Sequence, residues 1–483
     1  MTKKISLLLA ALLLLGALSI GFVGCFANEE SDAETTVNTS NEEEKKDGYV
    51  ADDLPSNNFG GDKVIILTPT WRNTPDYILH KEITGNIVSD AMVQSYYSVS
   101  ERFNMEIDLL IPGDQKVVQS TVDNETLAGE TSFDVVYNHD TRTVANAING
   151  CFLNIKSMDL VNLDKPWWTA SSQKFQIANK LYFTSSYLGI WSPYMNMGLY
   201  YNKDIANENG ITMPYDDIIA GNWYIDDMIE MTKNLKVDKN GDGEITVDKD
   251  QYGYVSSYHG NLCAQANLIG SFISQDGKGG NKITADIERC SNYINTMERL
   301  YANGIGEYEG VTSYNMDIFK SGRSLFIFSE TRTLVENRND ISFNWGMIPF
   351  PKYDENQEEY SSAGYDLFWG VNRNVANRSD IIATAVEALS CQNYNSVYPV
   401  IWEDFFGYKL SENVTDYQMV CIVRDATFVN PDYVYDTQIL GMTQLLNIWD
   451  TAEKSSISSH ITTNTNLAKV SLKLCVEKFS EMP

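Results

Sequence analysis

The chain has 483 residues, of which 65 are acidic and 36 basic, so its formal charge at pH 7 is −29. This excess of acid excludes a general nucleic-acid binder, because neutralising phosphates requires clustered Lys and Arg. It also argues against docking on an anionic membrane through a basic face. Many of the 28 Tyr, 19 Phe and 9 Trp must belong to the core, but a chain this aromatic could also line a saccharide site. About 420 residues of globular sequence indicate two domains.

The first 25 residues have the pattern of an export signal. Lys3 and Lys4 precede an uncharged apolar run at 5–23, and Gly24 and Cys25 follow it. This order predicts a secretory signal peptide over 1–24, and Phe-Val-Gly-Cys at 22–25 resembles the bacterial lipobox, whose cysteine becomes the lipidated first residue. A retained transmembrane anchor is the alternative, because the run approaches the ~20 residues that span a bilayer. Either way, the remaining chain lies outside the cell and is tied to a membrane.

An acidic segment then leads into alternating strands and helices. Residues 25–60 contain few large apolar side chains, which predicts a flexible tether. The predicted strands that follow are 63–67, 105–111 and 133–137, with helices at 87–103 and 117–127 between them. This alternation predicts an α/β lobe with right-handed crossovers, whose ligands bind beyond the carboxyl ends of the strands.

The remaining chain mixes longer helices with short strands and ends mostly in helices. Helices are predicted at 223–235, 287–303, 380–389, 438–449 and 466–479, and strands at 324–328 and 344–349. Trp223, at a predicted helix start, is expected to pack the lobe. The six cysteines after Cys25 form no C-x-x-C pair, so buried free thiols are predicted rather than a disulfide scaffold. No histidine is spaced as a ligand pair with a cysteine, so no zinc site is expected.

Several sequence strings together resemble a known family. They are FDVVYNHDTR at 133–142, GLYYNKDIANENGI at 198–211, YDDIIAGNWYIDDM at 215–228, DKNGDGEITVDKDQYG at 238–253, FKSGRSLFIFSE at 319–330 and FNWGMIPFPK at 343–352. In this order they resemble the extracellular solute-binding proteins of ABC importers, in the carbohydrate-binding group that includes maltodextrin-binding proteins. The resemblance covers roughly residues 60–480.

The resemblance implies an α/β, two-lobed periplasmic-binding-protein-like (type II) fold with hinge crossings and a mostly helical C-terminal part. The first lobe is expected to comprise 61–185 and 350–400. The second lobe is expected to comprise 190–345 and 405–483, with the C-terminal helices packing across the hinge side. Such proteins close about a hinge on their ligand and perform no chemistry. No catalytic residue is therefore expected.

The first candidate ligand-binding residues follow predicted strand ends. Trp71 and Arg72 come after the first strand, and Asp140 and Arg142 come after the third. Trp71 either stacks on a ligand or packs in the core. Asp140 and Arg142 either bond to sugar hydroxyls or serve as a helix cap and a surface ion-pair partner. Trp191, near the first crossing, either forms a stacking floor or packs the lobes together.

Further candidates belong to the second lobe and the second crossing. They are Tyr258, His259, Glu330, Tyr365, Asp366 and Trp369. His259 has the alternative of a satisfied structural histidine. Glu330 has the alternative of a carboxylate at a helix N-terminus, facing the macrodipole. Trp369 has the alternative of facing the core.

An acidic loop resembles the start of an EF-hand calcium loop. The predicted oxygen ligands are Asp238, Asn240, Asp242, Glu244 and Asp250. Gly243 permits the sharp turn, but the twelfth position, which should carry a bidentate carboxylate, is Lys249. The alternatives are a structural calcium ion and a solvated turn.

We therefore expect a monomeric, lipid-anchored receptor on the outer face of the bacterial cytoplasmic membrane, which delivers a carbohydrate, in particular an oligosaccharide, to an ABC permease. Calcium is the one cofactor considered. A surface glycoside hydrolase is an alternative, with its two carboxylates drawn from Asp140, Glu330 and Asp366. Another is a receptor for a peptide or other polar solute, in which Arg72 or Arg142 pairs with a carboxylate.

Overall fold

The structure is a computed structural model that describes residues 48–169, 171–256, 258–277, 280–305, 312–440 and 457–482. The predicted signal peptide, Cys25, most of the predicted tether and most of the predicted helix at 438–449 lie outside the described residues. The described residues from Val50 onward form one compact unit. Among the described residues, no helix combines the length and apolar character needed to cross a membrane.

The described strands and helices alternate through most of the chain. The strands are β1 Asp62–Leu67, β2 Met105–Leu110, β3 Val135–His139, β4 Met197–Asn202, β5 Tyr252–Ser256, β6 Ile273–Gln275, β7 Asn281–Ile283, β8 Gly304–Ile305, β9 Ser324–Glu330, β10 Trp345–Ile348, β11 Ser362–Gly364, β12 Leu367–Val371 and β13 Thr427–Val429. The α-helices are α1 Ile87–Phe103, α2 Gln115–Ala128, α3 Asp140–Ile148, α4 Trp191–Met195, α5 Lys203–Glu208, α6 Tyr215–Ile219, α7 Ile225–Thr232, α8 Tyr258–Ile269, α9 Ile287–Ala302, α10 Thr312–Lys320, α11 Thr331–Asn337, α12 Ser379–Gln392, α13 Gly407–Leu410, α14 Val414–Asp425, α15 Pro431–Val434 and α16 Ile457–Glu481. Two π-helical segments, Asn393–Val397 and Val400–Phe406, follow α12.

The first lobe is built on a sheet with the strand order β12-β3-β1-β2. β1 pairs in parallel with β2 and β3, whereas β12 is antiparallel to β3. The apolar side chains of β1, including Val64, Ile66 and Leu67, are buried because helices cover the sheet. The carboxyl ends of β1 and β3 therefore share one edge of the sheet.

The second lobe is built on a sheet with the order β10-β4-β9-β5-β8. β5 pairs in parallel with β8 and β9, and β4 is antiparallel to β9. The two sheets thus have the same arrangement. In each, a set of parallel strands lies beside one antiparallel strand, β12 in the first lobe and β4 in the second, which the chain enters on crossing from the other lobe. The predicted α/β fold with two lobes is confirmed.

The chain crosses between the sheets more than once. It passes from β3 to β4 and returns from β10 through β11 to β12, and β11 also pairs in parallel with β13. In the C-terminal part, α12 packs on α1 and β1, whereas α14 packs on β10. The last helix, α16, contacts α9 and β7 of the second lobe and α3 of the first. The predicted helical C-terminal part is confirmed, and the lobe boundaries stay a prediction.

Residues 50–60 contact the first lobe, although the sequence assigned them to the flexible tether. The amide of Val50 donates to Asn395 Oδ1 at 2.9 Å, and Arg102 makes a bidentate ion pair with Asp52 at 2.6 and 2.8 Å. The amide of Phe59 donates to the backbone carbonyl of Phe103 at 2.9 Å. These polar contacts attach residues 50–60 to the first lobe. The few apolar side chains of the segment would not be enough to hold it there.

Two predicted elements have different bounds in the structure. The predicted strand 133–137 begins at Val135, because the Asp134 carboxylate accepts the Ile65 amide at 2.8 Å in place of a backbone partner. The predicted helix 223–235 spans only α7. Trp223 precedes it with its indole buried, donating to the carbonyl of Pro349 at 3.2 Å, which confirms its packing role.

The described cysteines are free, as predicted. Five are buried and Cys421 is half-buried. Burial raises the pKa of Cys151, Cys263 and Cys290 to about 12. These thiols are therefore protonated and unreactive in the folded chain.

Candidate ligand site between the lobes

The loop after β1 has a strained backbone and approaches the second lobe. Arg72 and Asn73 have φ of 47° and 58°, in the left-handed region that residues other than glycine seldom occupy. The Thr74 hydroxyl donates to the carbonyl of Trp71 at 2.6 Å, and the Thr70 amide donates to the carbonyl of Gly113 at 2.8 Å. Such strain persists only where the surroundings impose it, and it is concentrated at functional sites.

An ion pair joins this loop to the second lobe. Arg72 Nη1 lies 3.2 Å from Glu330 Oε2, and Glu330 is the last residue of β9. The Thr333 hydroxyl donates to the same Glu330 oxygen at 3.3 Å. The side chains of Arg72 and Glu330 are 39% and 15% exposed. The pair therefore bridges the lobes at a place that solvent still reaches.

Aromatic rings from both strand ends and the first crossing pack beside this pair. We call Trp71, Tyr77, His139, Trp191 and Tyr194 the aromatic cluster. Trp71 lies 5.0 Å from His139 and 5.5 Å from Trp191, and Tyr77 lies 4.9 Å from Trp191 and 5.1 Å from Tyr194, each distance joining ring centroids. Trp191 is buried, whereas Trp71 and Tyr77 are half-buried. The cluster thus has a buried base and rings that keep an accessible part.

A second arginine lies over the aromatic cluster. The guanidinium of Arg332, on α11, stands 5.9 Å from the ring centroids of both Tyr77 and Trp191. Its Nε also donates to Glu336 Oε1 at 2.6 Å. A cation over an aromatic face is attracted by the ring quadrupole. This contact connects the second lobe to the cluster independently of Arg72.

Two acidic residues lie behind the cluster in the first lobe. Asp140 begins α3, and its Oδ1 lies 2.6 Å from His139 Nδ1. Asp366 is buried, with Oδ1 accepting the Leu367 amide at 2.8 Å and Oδ2 lacking a hydrogen-bond partner. Burial raises the pKa of Asp366 well above its usual value, and the nearby charge of Asp140 adds to the rise. The protonated form of Asp366 is therefore favoured.

A cavity adjoins the second crossing. It is lined by Leu262, Cys263, Gln265, Ala266, Ala363, Gly364, Tyr365, Asn430, Asp432 and Tyr433. The rings of Tyr365 and Tyr433 meet edge to face with centroids 4.8 Å apart. After burial, the charge of Glu330 is among the causes that raise the pKa of Cys263 and Tyr365. The cavity therefore lies within electrostatic range of the ion pair between the lobes.

The model of a bacterial extracellular solute-binding protein family matches residues 100–385, which is more than half of the chain. The chain belongs to this family. The resemblance seen in the sequence is thereby confirmed, as is the two-lobed fold of periplasmic solute-binding proteins. No curated protein sequence matches this solute-binding protein.

Solved structures of similar fold agree with the family. UspC of M. tuberculosis is 14% identical, with 84% of this chain and 100% of that one covered and a TM-score of 0.55. A sugar transporter of Rhizobium etli in an open conformation is 14% identical, with 87% and 100% covered and a TM-score of 0.51. A cyclo/maltodextrin-binding protein complexed with maltotetraose is 13% identical, with 87% and 98% covered and a TM-score of 0.51. At these identities the likeness shows a shared fold.

The structure of this solute-binding protein brings together five of the eleven predicted ligand-binding residues. Trp71, Arg72, Asp140, Trp191 and Glu330 meet at the aromatic cluster and the ion pair described above. Their assignment as ligand-binding residues stays a prediction.

Two predicted residues lie away from the cluster. Arg142 Nη1 donates to Gln119 Oε1 at 3.1 Å, which holds its guanidinium on α2. Trp369 is fully buried, and its indole donates to Ser186 Oγ at 3.1 Å, so it takes the alternative of facing the core. Tyr258 and His259 begin α8, but their side chains lie outside the described part of the chain.

Several residues of the site were not singled out from the sequence. Tyr77, His139 and Arg332 lie within a few residues of Trp71, Asp140 and Glu330. The rule that ligand residues follow strand ends could have found these. Tyr194 and Tyr433 carry no such signal, because only the packing of the crossings and α15 brings them to the site.

The acidic loop of this solute-binding protein folds around its own carboxylates. Asp238 accepts the amides of Gly241 and Gly243 at 2.6 and 2.8 Å. Asp250 accepts the amides of Lys239 and Thr246 at 2.9 and 2.7 Å. Within the described ranges, no group of three or more His, Cys, Asp or Glu side chains is arranged to hold a metal ion. Calcium binding here stays a prediction.

Proposed function

We propose that this solute-binding protein captures a carbohydrate, specifically an oligosaccharide, between its lobes and delivers it unaltered to an ABC permease. The observation that carries the proposal is the aromatic cluster at the junction of the lobes, beside charged side chains from both lobes. Aromatic rings offer flat apolar faces to sugar rings. Ionised side chains make strong hydrogen bonds with hydroxyl groups.

The aromatic rings of the site suit a ligand of this kind. Trp71 and Tyr77 are half-buried and so retain surface for stacking. Micromolar affinity requires only about 8 kcal/mol, which a few stacked rings and several hydrogen bonds can supply after the cost of ordering.

The related structures support a carbohydrate. One is of a sugar transporter in an open conformation, and another holds maltotetraose. Closure of two lobes about a hinge requires that the ligand bind the closed form more tightly than the open form. Arg72 and Trp71 from the first lobe, with Glu330 and Arg332 from the second, provide such contacts on both sides.

The lipobox-like sequence supports a receptor held at the outer face of the cytoplasmic membrane. We propose that Cys25 carries the lipid and that the acidic segment up to residue 49 acts as the tether. A lipid supplies membrane affinity that a chain with a charge of −29 would not obtain from anionic headgroups. A monomer suffices for capture between two lobes of one chain.

Isothermal titration with a panel of oligosaccharides tests the proposal. We expect binding of at least one, and Trp71→Ala should weaken it about tenfold or more, because the loss of a stacked ring removes about 1.4 kcal/mol or more. Tyr408→Ala is the control, since Tyr408 is 81% exposed and lies outside the site. Chromatography of the titrated sugars should show no cleavage. Binding of another solute class alone, or cleavage, would overturn the proposal.

A further inference from the structure

We propose that Arg72 and Glu330 are specificity-determining residues that make this site select uncharged saccharides over anionic or cationic ones. The inference deepens the proposed function and rests on it. It starts from the ion pair of 3.2 Å that joins the two side chains across the lobes. A charged group that approaches either side chain therefore meets a like charge beside it.

Both arginines of the site have carboxylate partners. Arg332 pairs with Glu336 at 2.6 Å, and Arg72 is paired with Glu330. The imidazole of His139 lies 2.6 Å from the carboxylate of Asp140. Neither arginine therefore presents an uncompensated positive charge that would attract an anion.

A charged solute at the Arg72–Glu330 pair would meet the member that carries its own charge. An anion on Arg72 would lie beside Glu330, whose side chain is only 15% exposed, and would repel or displace it. A cation on Glu330 would act on Arg72 in the same way. Placing like charges together, or leaving a partly buried ion without its partner, costs free energy, and discrimination commonly arises from such a penalty. A hydroxyl group avoids it, because the guanidinium has five N–H donors and the carboxylate several lone pairs.

The backbone conformation positions Arg72 to pair with Glu330. Its left-handed conformation and that of Asn73 are imposed by the Thr70 and Thr74 hydrogen bonds described above. Thr333 fixes the Glu330 carboxylate from the other lobe. Arg72 nevertheless remains 39% exposed, so a solute entering the site reaches the pair.

Isothermal titration with tetrasaccharides of three charge types tests the inference. The probes are maltotetraose, cellotetraose, mannotetraose and xylotetraose as neutral ligands, tetragalacturonate as the anion and tetraglucosamine as the cation. The unmodified protein should bind a neutral tetramer at least about tenfold more tightly than either charged one. Glu330→Gln should improve tetragalacturonate relative to the neutral tetramer by about tenfold. Arg72→Gln should do the same for tetraglucosamine.

Glu412→Gln is the matched control, because Glu412 pairs with Lys203 away from the site and is 60% exposed. It should leave all affinities unchanged, and melting temperatures should verify that each variant folds. Tightest binding of a charged tetramer by the unmodified protein would overturn the inference alone, as would unchanged ratios in both site variants. Binding of no saccharide at all would instead overturn the proposed function, and the inference with it.

Discussion

The buried carboxyl of Glu387 predicts an unusual dependence of stability on pH. Glu387 lies on α12 and is 1% exposed. Its Oε1 accepts a hydrogen bond from the indole N–H of Trp167 at 3.0 Å, and its Oε2 accepts one from the backbone N–H of Asn162 at 3.3 Å. Burial raises the pKa of Glu387 to about 8 from its ordinary value of 4.5. These hydrogen bonds only partly offset the loss of solvent around the charge.

The sign of the effect follows from the raised pKa. The folded state holds the Glu387 proton more tightly than the unfolded state, so the contribution of Glu387 to stability is greatest below pH 4.5 and falls as the pH rises toward 8. Each pH unit in this window removes about 1.4 kcal/mol of folding free energy. The destabilisation therefore grows from about 1 kcal/mol at pH 5 to about 4.5 kcal/mol at pH 8.5.

Glu387→Gln removes the titration and keeps a similar shape. The amide has only one acceptor oxygen, so one of the two hydrogen bonds is lost at every pH, at a cost of about 1–2 kcal/mol. We therefore expect the variant to melt at or slightly below the unmodified protein at pH 5. At pH 8.5 it should melt several degrees above it. Scanning calorimetry at both pH values measures the change.

The control for this experiment is Glu403→Gln, because Glu403 is exposed on the second π-helical segment. Its melting temperature should follow that of the unmodified protein at both pH values. A Glu387→Gln variant whose difference from the unmodified protein does not change between pH 5 and pH 8.5 would refute the reasoning. Glu387 would then have to ionise without penalty in the folded chain.

Two further predictions concern packing and the thiols. Gly304→Ala should lower the melting temperature by several degrees, because the added Cβ would lie 2.2 Å from the backbone oxygen of Tyr254, far inside contact distance. An unchanged melting temperature in calorimetry would contradict the pairing of β5 with β8. A thiol titration of the unfolded protein should count six thiols if Cys25 is lipidated and seven if it is free. Among the six described cysteines of the folded protein, only Cys421 should react quickly at pH 8, and fast labelling of several of these thiols would contradict the burial of the other five.

The order of elements in the first lobe could be predicted because its signals are local. The composition of the apolar run at β1 predicts a strand. Asn86 and Asp114 immediately precede α1 and α2, and their side chains accept hydrogen bonds from backbone amides in the first turn of each helix. Residues just after strand ends could be proposed for the site, because carboxyl ends of parallel strands meet at one edge. That rule found Trp71, Asp140 and Glu330.

The same rule could not tell which neighbours turn toward the site. Asp140 and Arg142 both follow β3, but they lie on a helix, where residues two apart point in different directions. Asp140 therefore reaches His139, whereas Arg142 bonds to Gln119. Trp369 lies on a strand that is covered on both faces, so an alternation of buried and exposed positions could not predict the exposure of its side chain.

The sequence alone determined the export signal pattern, the acid excess, the family resemblance and the alternating elements, because these depend on residues close together in the chain. Only the tertiary structure decided that Arg72 meets Glu330, since 258 positions separate them. It also brought the aromatic rings together. Contacts across such distances depend on how the two lobes face each other, and that arrangement leaves no local periodicity in the sequence.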